Sequence, residues 1–372
     1  ETMNGSGGGY PIQDNFSNGG SWQEGQLPSI NGTTEKAYKY NVGLDATLFG
    51  GLTLTADAFY EKRQDIWVYT GGKNSSILGA TASYANAGVV DSKGLEFGAN
   101  YIKSLGKVRF NFGGTFTLTK NKIVEQLEEP KAYEYLRATG KAVGQIFGYQ
   151  AVGFFVDQSD IDDSPSQQFG VVKPGDIKYK DVNGDGVIND DDIVPLSYSN
   201  TPTLQYGFAA EFRYKQFTAS IFFEGVGKVQ YFYGGSGYYP FAWETRGNVL
   251  NIVADQKNRW TPREYSGDAS TENPNARFPR LTYGENKNNN RESTFWLADG
   301  RYFRLKNIEL SYRFTSAWLR DKISVQNATL SLVGENLHVW DKVKLWDPEQ
   351  ASSNGAVYPL QRKFTLQLNV TF

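Results

Sequence analysis

Segments of about ten to fourteen residues with alternating apolar and polar side chains recur along the whole chain, a period of two that is typical of β-strands. Nine such segments lie near 36–48, 52–62, 93–103, 108–120, 204–214, 217–228, 302–314, 327–336 and 362–372. In the last, Phe364, Leu366, Leu368, Val370 and Phe372 alternate with Thr365, Gln367, Asn369 and Thr371. Strands of this length approach the roughly 9–11 residues that cross a bilayer at a tilt, but a soluble sandwich strand can alternate in the same way. The pattern therefore predicts an all-β fold and leaves its class open.

The connections between these segments alternate between short and long. The short ones are 49–51, 104–107, 215–216 and the moderate 315–326, and the long ones are 63–92, 121–203, 229–301 and 337–361. Outer-membrane barrels have short periplasmic turns and long extracellular loops, whereas a sandwich or propeller has no reason to sort its loops in this way. We therefore predict a transmembrane antiparallel β-barrel in the bacterial outer membrane, with multiple passes through its lipid. The loops 121–203 and 229–301 are then extracellular.

Composition is compatible with this class. The chain has no apolar run of about 18 residues, so it has no transmembrane helix. Because barrel strands expose only alternate residues to lipid, the mean hydropathy of −0.50 does not argue against a membrane. A net charge of −2 without a long basic run excludes nucleic acid as a partner. The absence of cysteine excludes disulfides and thiolate metal sites.

An odd number of strands places the two ends of the sheet on opposite sides of the membrane. Intact bacterial barrels have an even strand number, and open strand edges are not tolerated in lipid. We therefore expect residues 1–372 to be the carboxy-terminal portion of a larger barrel, completed by the polypeptide that supplies the remaining strands.

Several blocks of sequence resemble the SusC-like TonB-dependent transporters of the Bacteroidota. They are YKYNVGLDATLFGGLTLTADAFYEKRQDI (38–66), PGDIKYKDVNGDGVINDDD (174–192), STFWLADGRYFRLKNIELSYRF (293–314), LSLVGENLHVW (330–340), LWDPE (345–349) and YPLQRKFTLQLNVTF (358–372). They span nearly the whole chain from about residue 38 and follow the order that they have in the family.

The resemblance implies a 22-stranded barrel with an amino-terminal plug, of which this chain holds about the last nine strands. It also implies import of oligosaccharides or oligopeptides, captured by a SusD-like surface lipoprotein that forms a lid. Energy would come from the TonB complex through a motif ahead of the plug. The plug domain and that motif are absent from these residues, so the plug and the rest of the barrel are expected partners.

The segment DVNGDGVINDDD has the spacing of a calcium-binding loop of the EF-hand type. Its candidate ligands are Asp181, Asn183, Asp185, Val187 through its carbonyl, Asn189 and Asp192. Asp192 replaces the usual glutamate at the last position, as in dockerin-type loops. We expect a structural Ca²⁺ that stiffens the loop 121–203, and the alternative is an acidic turn without metal.

A secreted calcium-stabilised β-rich binding module is the rival function that this loop suggests. A true dockerin carries the loop twice, and it occurs here once. Resistance of the folded chain to cold detergent would favour the barrel.

The loop 229–301 contains a segment rich in aromatic residues. Its candidates for contact with substrate or lid are Tyr231, Tyr233, Tyr238, Tyr239 and Trp243. Aromatic faces with polar tips bind sugars and peptides, but they also pack loops together, and the sequence does not separate these roles.

Catalysis has little support in the sequence. His338 is the one histidine and there is no cysteine nucleophile, nor does a GxSxG or HExxH motif occur. We therefore predict a chain that is not an enzyme.

Overall fold

A computed structural model of the chain describes residues 3–6, 21–24, 26–29, 32–48, 50–71, 81–235, 237–242 and 247–372. The strands are β1 Met3–Ser6, β2 Ser21–Glu24, β3 Lys36–Leu48, β4 Leu52–Tyr69, β5 Tyr84–Leu105, β6 Val108–Glu125, β7 Gln145–Gly148, β8 Ala151–Phe154, β9 Ser166–Gln167, β10 Ile177–Tyr179, β11 Val187–Ile188, β12 Val194–Ser199, β13 Leu204–Tyr214, β14 Phe217–Gly227, β15 Gln230–Phe232, β16 Leu297–Asp299, β17 Tyr302–Phe314, β18 Asn327–Asp341 and β19 Lys363–Thr371. The helices are α1 Gln158–Asp162, α2 Asn251–Ala254, α3 Arg263–Ser266 and α4 Ala317–Ile323, with 3-10 turns at Glu134–Leu136, Asp190–Asp192, Ala269–Thr271 and Pro348–Gln350. None of the helices in these residues has the length and apolar character that a membrane-spanning helix needs.

Among the described residues, nine long strands form one sheet in the order β3-β4-β5-β6-β13-β14-β17-β18-β19. Neighbours in the sheet are neighbours in the chain, and every pairing from β6 to β19 is antiparallel. The predicted antiparallel strands are thereby confirmed, and β3, β13 and β17 have the predicted bounds.

Several strands continue beyond their predicted ends into the long connections. The strand β4 continues to Tyr69 and contains a left-handed residue, Asp65, with φ +59°. A left-handed residue interrupts the alternation of apolar and polar side chains, so the alternating pattern ends before the strand does.

The described chain divides into two compact units. One comprises residues 1–42, 58–94 and 119–143, and the other comprises 43–57, 95–118 and 144–372. In the first unit, Lys36 Nζ lies 2.8 Å from Asp65 Oδ2. The Asn86 amide donates to the carbonyls of Thr33 and Asp65 in the same unit. These polar contacts tie the entry of β3 to β4 and β5.

In the second unit, the strand register sorts side chains onto two faces. One row across the sheet is Phe110, Phe212, Ala219, Leu310, Leu332 and Leu366. The adjacent row on the opposite face is Arg109, Arg213, Thr218, Ser311, Ser331 and Gln367. We call these the apolar face and the polar face. The predicted lipid-facing residues of the last strand, Phe364, Leu366, Leu368 and Val370, pair with Gly334, Leu332, Leu330 and Ala328 respectively.

The long connections of the second unit fold together around a core of their own. Its buried side chains are Tyr149, Phe154, Phe169, Ile177, Tyr179, Ile188, Tyr238, Val253, Trp260, Phe278 and Trp296, which we call the loop core. They come from the connection between β6 and β13 and from the one between β14 and β17. The short strands β8, β10 and β11 supply four of them, so these connections are folded rather than irregular.

Candidate functional site

Aromatic side chains mark both ends of the apolar face. At the end near the long connections, the ring of Phe303 lies 6.1 Å from Tyr206 and 5.5 Å from Trp340. At the end near the short turns, Tyr214 pairs with Phe217 across the strands. Tyr206 and Tyr214 are eight residues apart on β13, about 27 Å along a strand. On a strand tilted by about 40° this length spans about 21 Å across the membrane, close to the apolar band, about 25 Å tall, between the aromatic girdles of an outer-membrane barrel.

On the polar face, Arg304 is a buried cation with 2% of its surface exposed. Its Nη2 donates to Asp347 Oδ1 at 2.5 Å, and its Nε lies 3.5 Å from Glu349 Oε2. Lys306 Nζ donates to Glu224 Oε1 at 2.7 Å in the same cluster. Asp347 and Glu349 belong to the LWDPE block, whose residue types and spacing predict no chemical role. The cluster fixes the last long connection to the strands β14 and β17.

A second buried charge, Asp176, joins the two long connections that build the loop core. Its carboxylate is fully buried and pairs with Arg280, whose Nη2 donates to Oδ2 at 2.9 Å. Oδ1 accepts from the amides of Asn286 at 2.9 Å and Asn289 at 2.8 Å. Oδ2 also accepts from the backbone N–H of Lys173 at 2.8 Å. Through these hydrogen bonds the buried carboxylate holds both segments in place.

The first half of the calcium-like loop is a tight turn held by its own side chains. Asp181 accepts from the backbone N–H groups of Gly184 at 2.6 Å and Gly186 at 2.8 Å. Both glycines have positive φ, +78° and +82°, so the turn needs residues without Cβ strain there. Asn183 Oδ1 accepts from Asp185 N–H and Asp185 Oδ1 accepts from Val187 N–H.

The second half closes on Asp192, which is fully buried. Its Oδ1 accepts from the N–H of Val182 at 2.7 Å and its Oδ2 from that of Asn189 at 2.9 Å. Asp192 thus caps a 3-10 turn and ties it to the start of the loop. As placed, the described residues bring together no group of three acidic, histidine or cysteine side chains able to hold a metal ion.

The predicted contact aromatics lie mainly within packed structure. Tyr238 is 1% exposed and Tyr231 is 7% exposed. The ring of Tyr233 stacks on Tyr238 at 5.0 Å, and the ring of Tyr239 meets Trp296 edge-on at 5.2 Å. Loop packing therefore accounts for their position, and Tyr238 presents almost no surface to a substrate. Trp243 lies outside the described residues.

Burial changes the acid–base properties of these tyrosines. It raises the pKa of Tyr233 to about 12. Burial, together with the hydrogen bond to Asp190, also raises the pKa of Tyr149 above its usual range. Both phenols stay neutral at physiological pH and serve as hydrogen-bonding and packing groups.

Comparison with known proteins gives these features a context. No protein-family model matches the chain. Curated relatives include the TonB-dependent receptor P26 of Formosa agariphila, 29% identical over 94% of this chain and 36% of its own length. The TonB-dependent receptor SusC of Bacteroides thetaiotaomicron is 22% identical over 91% of this chain and 32% of its own length. The chain thus has homologues among the TonB-dependent receptors, SusC included. It spans about a third of the length of the curated relatives that it matches.

A solved structure of the RagAB peptide transporter shares the fold of this chain. The TM-score is 0.71 at 16% identity, covering 100% of this chain and 38% of that one. The predicted fold class and outer-membrane location are confirmed, and the sheet is part of a transmembrane β-barrel. His338 packs edge-on against Trp340 with ring centroids 4.4 Å apart, a contact that explains the histidine by packing.

Charge placed on the apolar face gives a direct check of the predicted lipid contact. Leu366→Arg is expected to impair assembly in the outer membrane, because an arginine near the midplane of the lipid face costs about 2–4 kcal/mol. Gln367→Arg, its neighbour on the polar face, is the matched control and is expected to assemble normally. Assembly is measured as heat-modifiable, folded receptor in purified outer membranes. Equal yields for the two variants would contradict the assigned faces.

Proposed function

We propose that this chain forms part of the wall and the folded loops of an importer. The receptor would carry oligosaccharides or oligopeptides across the outer membrane, with a SusD-like surface lipoprotein as its lid. The TonB complex would supply energy through the plug, and the long connections would face the cell exterior. The proposal includes no catalytic step by this chain.

The observation that carries the proposal is the contrast between the two faces of the sheet. An apolar face between two aromatic rows suits lipid, and a polar face suits a wet lumen. The long connections do not hang free, because Arg304 and its acidic partners attach one of them to the polar face. Folded loops fixed at the mouth of a barrel are suited to controlling what enters it.

The open edges of the sheet support completion of the barrel by further strands. In the described sheet, β3 and β19 are the outermost strands, each with one hydrogen-bonded neighbour. Unpaired backbone groups in lipid cost several kcal/mol each. We therefore propose that the remaining strands, together with a plug, come from polypeptide outside these residues.

Uptake by cells tests this function. A strain lacking the intact receptor is expected to lose growth on one class of polymer, glycan or peptide, and to regain it on complementation. An uncoupler that removes the proton-motive force should abolish uptake. Mass spectrometry of the receptor purified in mild detergent is expected to show a surface lipoprotein. Unchanged growth of the deletion strain on both classes would contradict the proposal.

A secreted calcium-stabilised module, the rival function, is disfavoured by the surface of the sheet. Side chains such as Phe364 and Leu366 are about 70% and 71% exposed, and they continue rows of apolar residues across several strands. Apolar surface of this extent is an aggregation liability in water and is expected in lipid.

Calcium binding by the loop 181–192 is a separate proposal that the ligand spacing supports. Removal of Ca²⁺ by a chelator is expected to increase protease cleavage within 121–203, and Asp185→Ala should have the same effect. Glu129→Ala, at an exposed residue in the same connection but outside the loop, is the control. The measurement is the rate of appearance of loop fragments in intact receptor. Cleavage that is indifferent to the chelator would leave a metal-free turn closed by the hydrogen bonds of Asp181 and Asp192.

A further inference from the structure

Arginines gather on the polar face near the short turns. Arg109 on β6 and Arg213 on β13 are direct partners in the strand register. Arg213 also pairs with Thr218, which pairs with Ser311 on β17. Arg313 follows two residues after Ser311, on the same face and nearer the turn. All three arginines are exposed.

This arrangement is costly for an isolated sheet. Side chains directly opposite each other on one face of an antiparallel pair are about 5 Å apart at Cβ, and like charges in that position are destabilising. Arg213 has one ion pair, with Glu211 at 3.7 Å. Within the described residues, Arg109 and Arg313 form no ion pair.

Arg213 and Arg313 border a groove of about 700 Å³ on the polar face. Its lining also includes Lys215, Thr218, Ser220, Glu211 and Glu309. Glu211 pairs with Arg213 at 3.7 Å, and Glu309 accepts a hydrogen bond from Ser311 at 2.5 Å. The lining therefore holds three cations against two carboxylates, and among the described residues Arg313 has no ion-pair partner.

We propose that this groove seats an acidic stretch of polypeptide inside the lumen of the barrel. Guanidinium groups bind carboxylates through two parallel hydrogen bonds, and the neighbouring hydroxyls can bond to a peptide backbone. The repulsion between Arg109 and Arg213 is present in every folded molecule, so it calls for a resident partner rather than a passing substrate. In barrels of the size proposed above, the lumen is filled by a plug, and its acidic segment is the occupant to which we commit. The inference thus rests on the proposed function.

Cysteine labelling tests the groove, because residues 1–372 contain no cysteine and any cysteine elsewhere in the intact receptor is first replaced by serine. Ser220→Cys places a thiol in the groove of the intact receptor, and its reaction with a charged maleimide is followed in outer membranes. With the groove occupied, labelling is slow. The double reversal Arg213→Glu/Arg313→Glu is expected to speed it by about tenfold or more, because the carboxylates of the plug are then repelled. High salt should give a smaller increase in the same direction.

The control is a matched double reversal in a loop, Arg263→Glu/Arg301→Glu. Both arginines are exposed there, by 68% and 57% of their side chains. It is expected to leave labelling of Ser220→Cys unchanged. Heat-modifiable migration shows whether the double reversal folds. If it does not, the milder variant Arg109→Gln/Arg213→Gln replaces it and should also increase labelling of Ser220→Cys.

Two results would overturn the inference: rapid labelling of Ser220→Cys in the unaltered receptor, or protection that survives the groove reversals. Uptake measured on the same cells separates the two proposals. If cells import substrate while the thiol of Ser220→Cys is labelled rapidly, the groove proposal is wrong and the proposed importer function stands. If no import is measured, the proposed function itself is contradicted.

Discussion

Asp176→Ala is expected to unfold the loop core while the membrane sheet stays intact. The variant removes a fully buried carboxylate and leaves Arg280, with a side chain 14% exposed, without its partner. Breaking a buried ion pair in this way costs about 3–5 kcal/mol. Two amide groups, from Asn286 and Asn289, lose their acceptor as well. Because Asp176 joins segments more than 100 residues apart, the loss falls on the contact between the two long connections.

The measurement is hydrogen exchange of the amides between 166 and 190 in the intact receptor. Exchange should rise there, while the amides of β13 and β14 remain protected. Asp255→Ala is the control, since Asp255 is exposed and its carboxylate accepts a hydrogen bond from the nearby backbone N–H of Lys257. A double variant with Arg280→Met should lose less stability than the sum of the single variants, because no charge is then buried alone. Unchanged exchange in Asp176→Ala would show that the loop core does not depend on this pair.

The strands could be predicted from sequence because each has one apolar and one polar face. A period of two is a local signal, and the bounds of β13 and β17 followed from it. The signal failed in β4 at Asp65, where a left-handed residue interrupts the alternation, and in β5 before Gly94, where small residues such as Gly88 replace the alternating ones. Gly88 is required there because a Cβ would lie 2.7 Å from Val68.

The loop core could not be predicted, and the reason is physical. Its strands have two to six residues, too few for a period to be visible. Asp176 stands in the PGD triplet at the start of the block 174–192, yet its partners lie 104 to 113 residues further along the chain. Only the fold brings them together. The calcium-like loop could be recognised because the spacing of its candidate ligands is a local pattern. The aromatic segment could be recognised from composition, but composition does not distinguish a buried ring from an exposed one.

Asp347→Ala is expected to detach the last long connection, 342–361, from the wall of the barrel. Arg304 stays buried in this variant, and its nearest remaining carboxylates are Glu349 at 3.5 Å and Glu224 at 3.9 Å. Because these contacts are longer and Glu224 is shared with Lys306, they offset only part of the loss. We expect a cost of about 3 kcal/mol, the lower end of the range for a broken buried pair.

The same reasoning ranks three variants by their expected loss of stability. Arg304→Met removes the buried cation itself and leaves Asp347, which can turn to water, so it should cost less than Asp347→Ala. Asp321→Ala, at an exposed pair with Arg320 in α4, should cost almost nothing. Protease cleavage within 342–361 of the intact receptor reports detachment, and it should rise most in Asp347→Ala. If Arg304→Met increased cleavage more than Asp347→Ala, the ion pair would not be what holds the loop. The guanidinium would then act through its packing over Tyr302, whose ring lies 5.4 Å away.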